Sequence, residues 1–204
     1  MREEAQRIDG RLEGTLRVPD TDPRAIIVIA HPLPTHGGEM RIPLVAGIAR
    51  ACAERGWYAL RFNFRSVGAS AGTWTGGREE ADDVGAAVTH ARSIASALPV
   101  GLVGYSFGAL MALRWLSRGE RPDALVLVGL PLRSVTGRDN DLPPVPDGTF
   151  IVAAEHDQFG SAAELRERLP QARIAQVRGA DHFFVGHRDE MARLVTEELA
   201  RTLG

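Results

Sequence analysis

Short, continuous apolar runs recur along this chain and alternate with amphipathic stretches, the pattern of buried strands separated by helices. Ala25-Ile26-Ile27-Val28-Ile29-Ala30, Val100-Gly101-Leu102-Val103, Ala124-Leu125-Val126-Leu127-Val128 and Thr149-Phe150-Ile151-Val152-Ala153-Ala154 lack polar alternation, so each predicts a strand covered on both faces. Trp57 to Phe64 and Ala172 to Val177 predict two more. Ile8 to Val18 alternates loosely across Gly10 and Gly14, which fits a leading hairpin or a pair of edge strands. Helices are predicted from Ile42 to Glu54, Glu79 to Ala97, Phe107 to Leu116, Ser161 to Leu169 and Asp189 to Leu203. The second carries Glu79, Glu80, Asp82 and Asp83 in its first turns, the sign favoured there. Ser161-Ala162-Ala163-Glu164 reads as a capping box, and Pro170 ends that helix.

Strands separated by helices in this order imply βαβ units, a largely parallel sheet and helices on both faces. The connection from Gly129 to Gly148 holds Pro131, Gly137, Pro143, Pro144 and Pro146 and has too little helical pattern for a separate lid, so an open site is expected. A length of 204 residues with 44% hydrophobic content suits one domain with a large core, and nothing divides residues 1–204.

Charge narrows the partners. All 24 basic residues are arginine and the net charge is -2, so no bulk positive field favours nucleic acid. The polar start Met1-Arg2-Glu3-Glu4-Ala5-Gln6-Arg7 lacks the apolar core of a signal, and no run approaches the roughly 18 apolar residues of a membrane span. A cytoplasmic location and no membrane partner are expected. Cys52 is the single cysteine, which rules out an internal disulfide and suits a buried filler.

The candidate chemistry centres on Gly104-Tyr105-Ser106-Phe107-Gly108, between a predicted strand and a predicted helix. Such a bend holds its central residue in a strained conformation with the side chain raised above the sheet edge, and the flanking glycines allow strand and helix to approach closely. Serine is a poor nucleophile unless a histidine takes its proton and a carboxylate orients the imidazole. His182 lies in the loop after the last strand, and Asp157 in the loop after Ala154, both at the edge where Ser106 sits. Glu155 and Asp139 are alternatives for the acid; Asp181 adjoins His182, and adjacent side chains point apart.

An alkoxide formed on attack needs fixed donors. The Phe107 amide, at a helix start, supplies one; Leu33 is preferred for the second, because its neighbours Pro32 and Pro34 have no N–H. A substrate pocket is expected from His31, Met40, Arg65, Trp74 and Phe159. His31 is expected to brace the oxyanion loop, and Arg65 fits either a substrate carboxylate or, preferably, an ion pair with Glu79, Glu80 or Asp82. His31, His36 and His156 lack compact ligand spacing, so no metal or other cofactor is expected.

These segments together resemble the α/β-hydrolase superfamily, and in particular its small lidless members near the dienelactone hydrolases. The likeness spans residues 8–204 and is carried by His31-Pro32-Leu33-Pro34 with Gly37-Gly38-Glu39-Met40, by Leu60-Arg61-Phe62-Asn63-Phe64-Arg65-Ser66-Val67-Gly68-Ala69-Ser70, by the Ser106 pentapeptide, and by Gly179-Ala180-Asp181-His182-Phe183-Phe184. It implies a three-layer α/β/α sandwich whose eight-stranded, mostly parallel sheet has its second strand antiparallel, with no cap domain. Dienelactone hydrolases carry cysteine at the position of Ser106, so their substrate does not transfer. Many relatives have a second histidine where Leu33 stands, but an oxyanion donor needs only the backbone N–H.

The expected activity is cleavage of a small-molecule carboxylic ester or thioester through an acyl-enzyme on Ser106. An acyltransferase or peptidase would use the same three residues; a non-catalytic scaffold of this fold would not need them. Oligomeric state is not legible.

Overall fold

The computed structural model describes residues 1–204. The chain runs β1 (Arg2–Ile8), β2 (Leu12–Val18), β3 (Ile26–Ala30), α1 (Pro43–Glu54), β4 (Tyr58–Phe62), α2 (Glu80–Ile94), β5 (Val100–Tyr105), α3 (Phe107–Leu116), β6 (Ala124–Val128), β7 (Phe150–Ala154), α4 (Ala162–Arg168), β8 (Arg173–Val177) and α5 (Arg188–Leu203). The strands form one eight-stranded sheet in the order β1-β2-β4-β3-β5-β6-β7-β8. β2 is antiparallel to both its neighbours and every later pairing is parallel.

Period-two alternation divides the central strands between two cores. In β3, Ile26, Val28 and Ala30 face the core under α2, α3 and α4, whereas Ile27 and Ile29 face the core under α1 and α5. β5 divides likewise, with Leu102 on the first side and Val103 and Tyr105 on the second. Coverage of both faces is why these strands read as unbroken apolar runs.

The leading hairpin begins earlier than its hydrophobicity suggests. Arg2–Ile8 pairs along its whole length with Leu12–Val18, and the turn is made by Asp9 and Gly10, both at positive φ. β1 is an edge strand with only Ile8 fully buried, so its charges stay in solvent or pair across the ladder, as Glu3 does with Arg17 and Arg61. A charged edge also discourages pairing with another chain. The capping box forms as expected, with the Ser161 hydroxyl accepting from the Glu164 N–H and the Glu164 carboxylate accepting from the Ser161 N–H. Residues 129–148 contain no helix and no paired strand beyond one Arg133–Asp139 bridge, so no cap covers the sheet edge there.

Two glycines let α3 sit directly on the sheet. A Cβ on Gly104 would lie 2.6 Å from the Gly108 carbonyl oxygen, and one on Gly108 would lie 2.7 Å from the Ala30 carbonyl carbon. Both obstacles are backbone, so relief requires moving the helix. Gly108→Ala should therefore lower stability in urea denaturation by about 1–3 kcal/mol. Gly47, in α1 with open space around it, should gain up to about 1 kcal/mol on change to alanine. A neutral or stabilising Gly108→Ala would contradict the close-approach account.

Candidate active site

β5 ends at Tyr105 and α3 starts at Phe107, leaving Ser106 alone at the bend with φ 54° and ψ -113°. That conformation costs a non-glycine residue about 1–3 kcal/mol. It is held by the Ser106 N–H donating to the Val128 carbonyl at 2.8 Å and by the Ser106 carbonyl accepting from Ala109 and Leu110. The side chain is thereby raised toward the loops that follow β7 and β8.

There the Ser106 hydroxyl lies 2.9 Å from Nε2 of His182, and Nδ1 of His182 lies 2.7 Å from Oδ2 of Asp157. This hydrogen-bonded line is consistent with a Ser–His–Asp triad. The carboxylate selects the tautomer, accepting from Nδ1–H and leaving Nε2 free to accept from the serine. Asp157 is held in turn by the Phe159 N–H, which donates to Oδ1 at 2.8 Å. Both carboxylate and imidazole are buried, so the pair is little screened by water.

The other acids have separate tasks. Asp181 accepts the Phe183 N–H at 3.0 Å and shapes its own turn, Glu155 accepts the Gly179 N–H at 2.7 Å, and Asp139 pairs with Arg168. Asp157 alone reaches His182.

The imidazole is also confined by Tyr105, Phe159 and Gly129, of which only Phe159 was expected near the site. The buried Tyr105 hydroxyl donates to the His182 carbonyl at 2.9 Å, and burial pushes its pKa up, so it stays a donor. The Phe159 ring stands edge-on to His182 at 4.7 Å. A Cβ on Gly129 would lie 3.4 Å from both the His182 ring and the Tyr105 ring. A hydroxyl inside a serine motif and a glycine among many give no sequence signal for these contacts.

The loop after β3 folds into a 3₁₀ turn, Pro34–His36. The Leu33 carbonyl accepts from His36 and Gly38, while neither the Leu33 N–H nor the Phe107 N–H has a partner within the protein. For Phe107 this follows from its place as the first residue of α3, where the N–H points out of the helix. Leu33, Phe107, Ser106 and His182 all line one cavity of about 530 Å³.

His31 braces this loop, as expected, from behind rather than from the cavity wall. Its Nε2 accepts the Phe64 N–H at 3.0 Å and its Nδ1 donates to the Pro32 carbonyl at 2.7 Å, which ties the loop after β3 to the end of β4. Burial lowers its pKa to about 4 and the Pro32 hydrogen bond opposes that shift only in part. Asn63 adds a second tie, accepting the Met40 N–H and donating to Glu13, both at 2.8 Å.

Of the expected pocket residues, Phe159 lines the cavity and the other four do not. His31 and Met40 are completely buried beneath the loop. Arg65 is drawn away by Asp83 and Glu79, the second of which was anticipated. Trp74 packs against Phe107, ring centroids 5.2 Å apart, outside the cavity. Their places are taken by Ile42, Leu44 and Leu110, and by Pro131, Val135 and Asn140 from the irregular connection after β6. That segment has no periodicity from which to read orientation. His31, His36 and His156 do not converge, and no group of three potential ligands is close enough to hold a metal ion. Cys52 is fully buried, which pushes its thiol up to about 12 and leaves it a packing residue.

Comparison with known proteins identifies the family and the fold. A family model described as an alpha/beta hydrolase domain matches residues 23–201. A lidless α/β serine hydrolase from Xanthomonas campestris has a similar structure, with a TM-score of 0.86 and 27% identity, covering 100% of this chain and 96% of that one. An α/β serine hydrolase homologue from Coxiella burnetii gives a TM-score of 0.83 and 26% identity, covering 97% of each chain. An uncharacterised protein of Rickettsia prowazekii is 27% identical over 202 residues, 94% of this chain and 85% of its own length.

The buried neutral His31 makes folding pH-dependent. Its folded-state pKa lies below the unfolded value of 6.5, so the unfolded chain binds more protons between pH 6.5 and about 4, and stability must fall on acidification through that window. The expected loss is about 3 kcal/mol by pH 4. Urea midpoints of wild type and His31→Gln measured from pH 7 to 4 should show a flatter dependence in the variant; parallel curves would contradict the assignment.

Proposed function

The chain belongs to the α/β-hydrolase family, and from that premise we propose that it cleaves a small-molecule carboxylic ester or thioester through an acyl-enzyme on Ser106. The observation that carries this reading is the continuous hydrogen-bonded line from Ser106 through His182 to Asp157. His182 takes the hydroxyl proton as Ser106 attacks the carbonyl carbon, and Asp157 stabilises the imidazolium that forms. The Leu33 and Phe107 amides, unpartnered and facing the same cavity, stabilise the tetrahedral oxyanion. His182 then protonates the leaving alcohol or thiol. Water enters from the uncapped edge, His182 removes its proton, and the acyl group leaves as the acid.

The largely apolar cavity suits an acyl or alkyl group of moderate size, and the similarity to the serine hydrolase of Xanthomonas campestris and the serine hydrolase homologue of Coxiella burnetii supports the reaction class. The uncapped cleft favours water as the acceptor over transfer to a second substrate.

Steady-state hydrolysis of p-nitrophenyl butyrate and of a butyryl thioester tests the roles. Ser106→Ala should remove turnover, and Asp157→Asn should reduce kcat by about 10³–10⁴-fold through the wrong imidazole tautomer. Asp181→Asn, which alters only a turn, should stay within about tenfold of wild type. Full activity in Ser106→Ala, or a larger loss in Asp181→Asn than in Asp157→Asn, would overturn the mechanism.

A further inference from the structure

Two arginines line the cavity and a third, Arg65, is a candidate from the sequence, and their electrostatic situations differ. Arg65 is paired with Asp83 and Glu79, and it lies outside the cavity. Arg133 lines the cavity but is paired with Glu164. Arg188 also lines the cavity, and its side chain has no ion-pair or hydrogen-bond partner. Its Nε–H is sealed from solvent with no acceptor.

This arrangement is costly in three separate ways. A buried donor without an acceptor loses its hydration with nothing in return. A guanidinium at the first position of α5 faces the positive end of the helix dipole. The charge is also held against a mostly apolar wall, among lining residues that include no aspartate or glutamate. The neighbouring acids do not relieve it: Asp189 turns to Arg50, Glu190 approaches His187, and Asp181 binds the backbone of its own loop. It lines the same cavity as Ser106 and His182, so the charge faces the space in which a substrate would react.

We propose that Arg188 is a specificity-determining residue that binds an anionic oxygen group of the substrate, so that the preferred ester or thioester carries a free carboxylate beyond its scissile carbonyl. The proposal rests on the hydrolase reading of Ser106 and adds the substrate's charge to it. A planar carboxylate offers two acceptors to the terminal nitrogens of the guanidinium and supplies the missing counter-charge. The rest of that substrate is apolar, to match Leu44, Leu110 and Phe159 along the wall.

The test compares two chromogenic esters, mono-p-nitrophenyl glutarate with its free carboxylate and the same compound capped as a methyl ester. Wild type should favour the acid over the capped ester by about ten- to hundredfold in kcat/KM, chiefly through KM. Arg188→Gln should bring that ratio close to one, and Arg188→Lys should keep part of it. Because the readout is a ratio between two substrates on one protein, a general loss of folded enzyme does not imitate it. A ratio near one in wild type, or an unchanged ratio in Arg188→Gln, overturns the role of Arg188 while leaving the hydrolase reading intact. If Ser106→Ala removes no turnover of either ester, the hydrolase reading falls and the role of Arg188 falls with it.

Discussion

The structure depends on the close approach of α3 to the sheet at Ser106. A serine at φ 54° is unfavourable by itself, and it is tolerated because the surroundings leave no alternative. Gly104 and Gly108 remove the two Cβ atoms that would hold the helix away, β3 and β6 flank β5 with parallel ladders, and buried apolar side chains cover both faces. The same bend raises the hydroxyl above the edge and frees the Phe107 N–H beside it, so nucleophile and oxyanion donor arise from one backbone feature.

Around that bend, separate loops are each fixed by backbone hydrogen bonds rather than by the reacting groups alone. The loop after β8 is held by Tyr105, which donates to the His182 carbonyl, and by Asp181 in its own turn. The loop after β7 is held by Phe159 donating to Asp157. The loop after β3 is held by His31 and Asn63. Positioning by buried, satisfied partners gives a geometry ready before substrate arrives, which is what electrostatic stabilisation of a transition state requires. Water access is left open because the connection after β6 builds a wall and not a lid.

Strands covered on both faces, helices with capping or acidic starts, and the order Ser106, Asp157, His182 were all legible in the sequence, because each leaves a local chemical signature. The leading hairpin is legible only from Ile8 onward, because the rest of β1 is an edge strand that exposes nearly everything it carries. The pocket was the least legible part. Met40 and Trp74 are large and apolar, yet the side chains that fill a core and those that line a cavity look alike without packing. Arg65 found carboxylates on α2, while Arg188, at a helix start where a cation is disfavoured, came to the cavity unpaired.

The central claim is that Ser106, activated by His182, is the group that becomes acylated. Incubation with a fluorophosphonate followed by peptide mass spectrometry tests it directly. The account predicts one adduct per chain, located on Ser106, formed slowly or not at all when His182 is replaced by alanine. Modification of a different residue, or labelling of Ser106 at the same rate without His182, would contradict it.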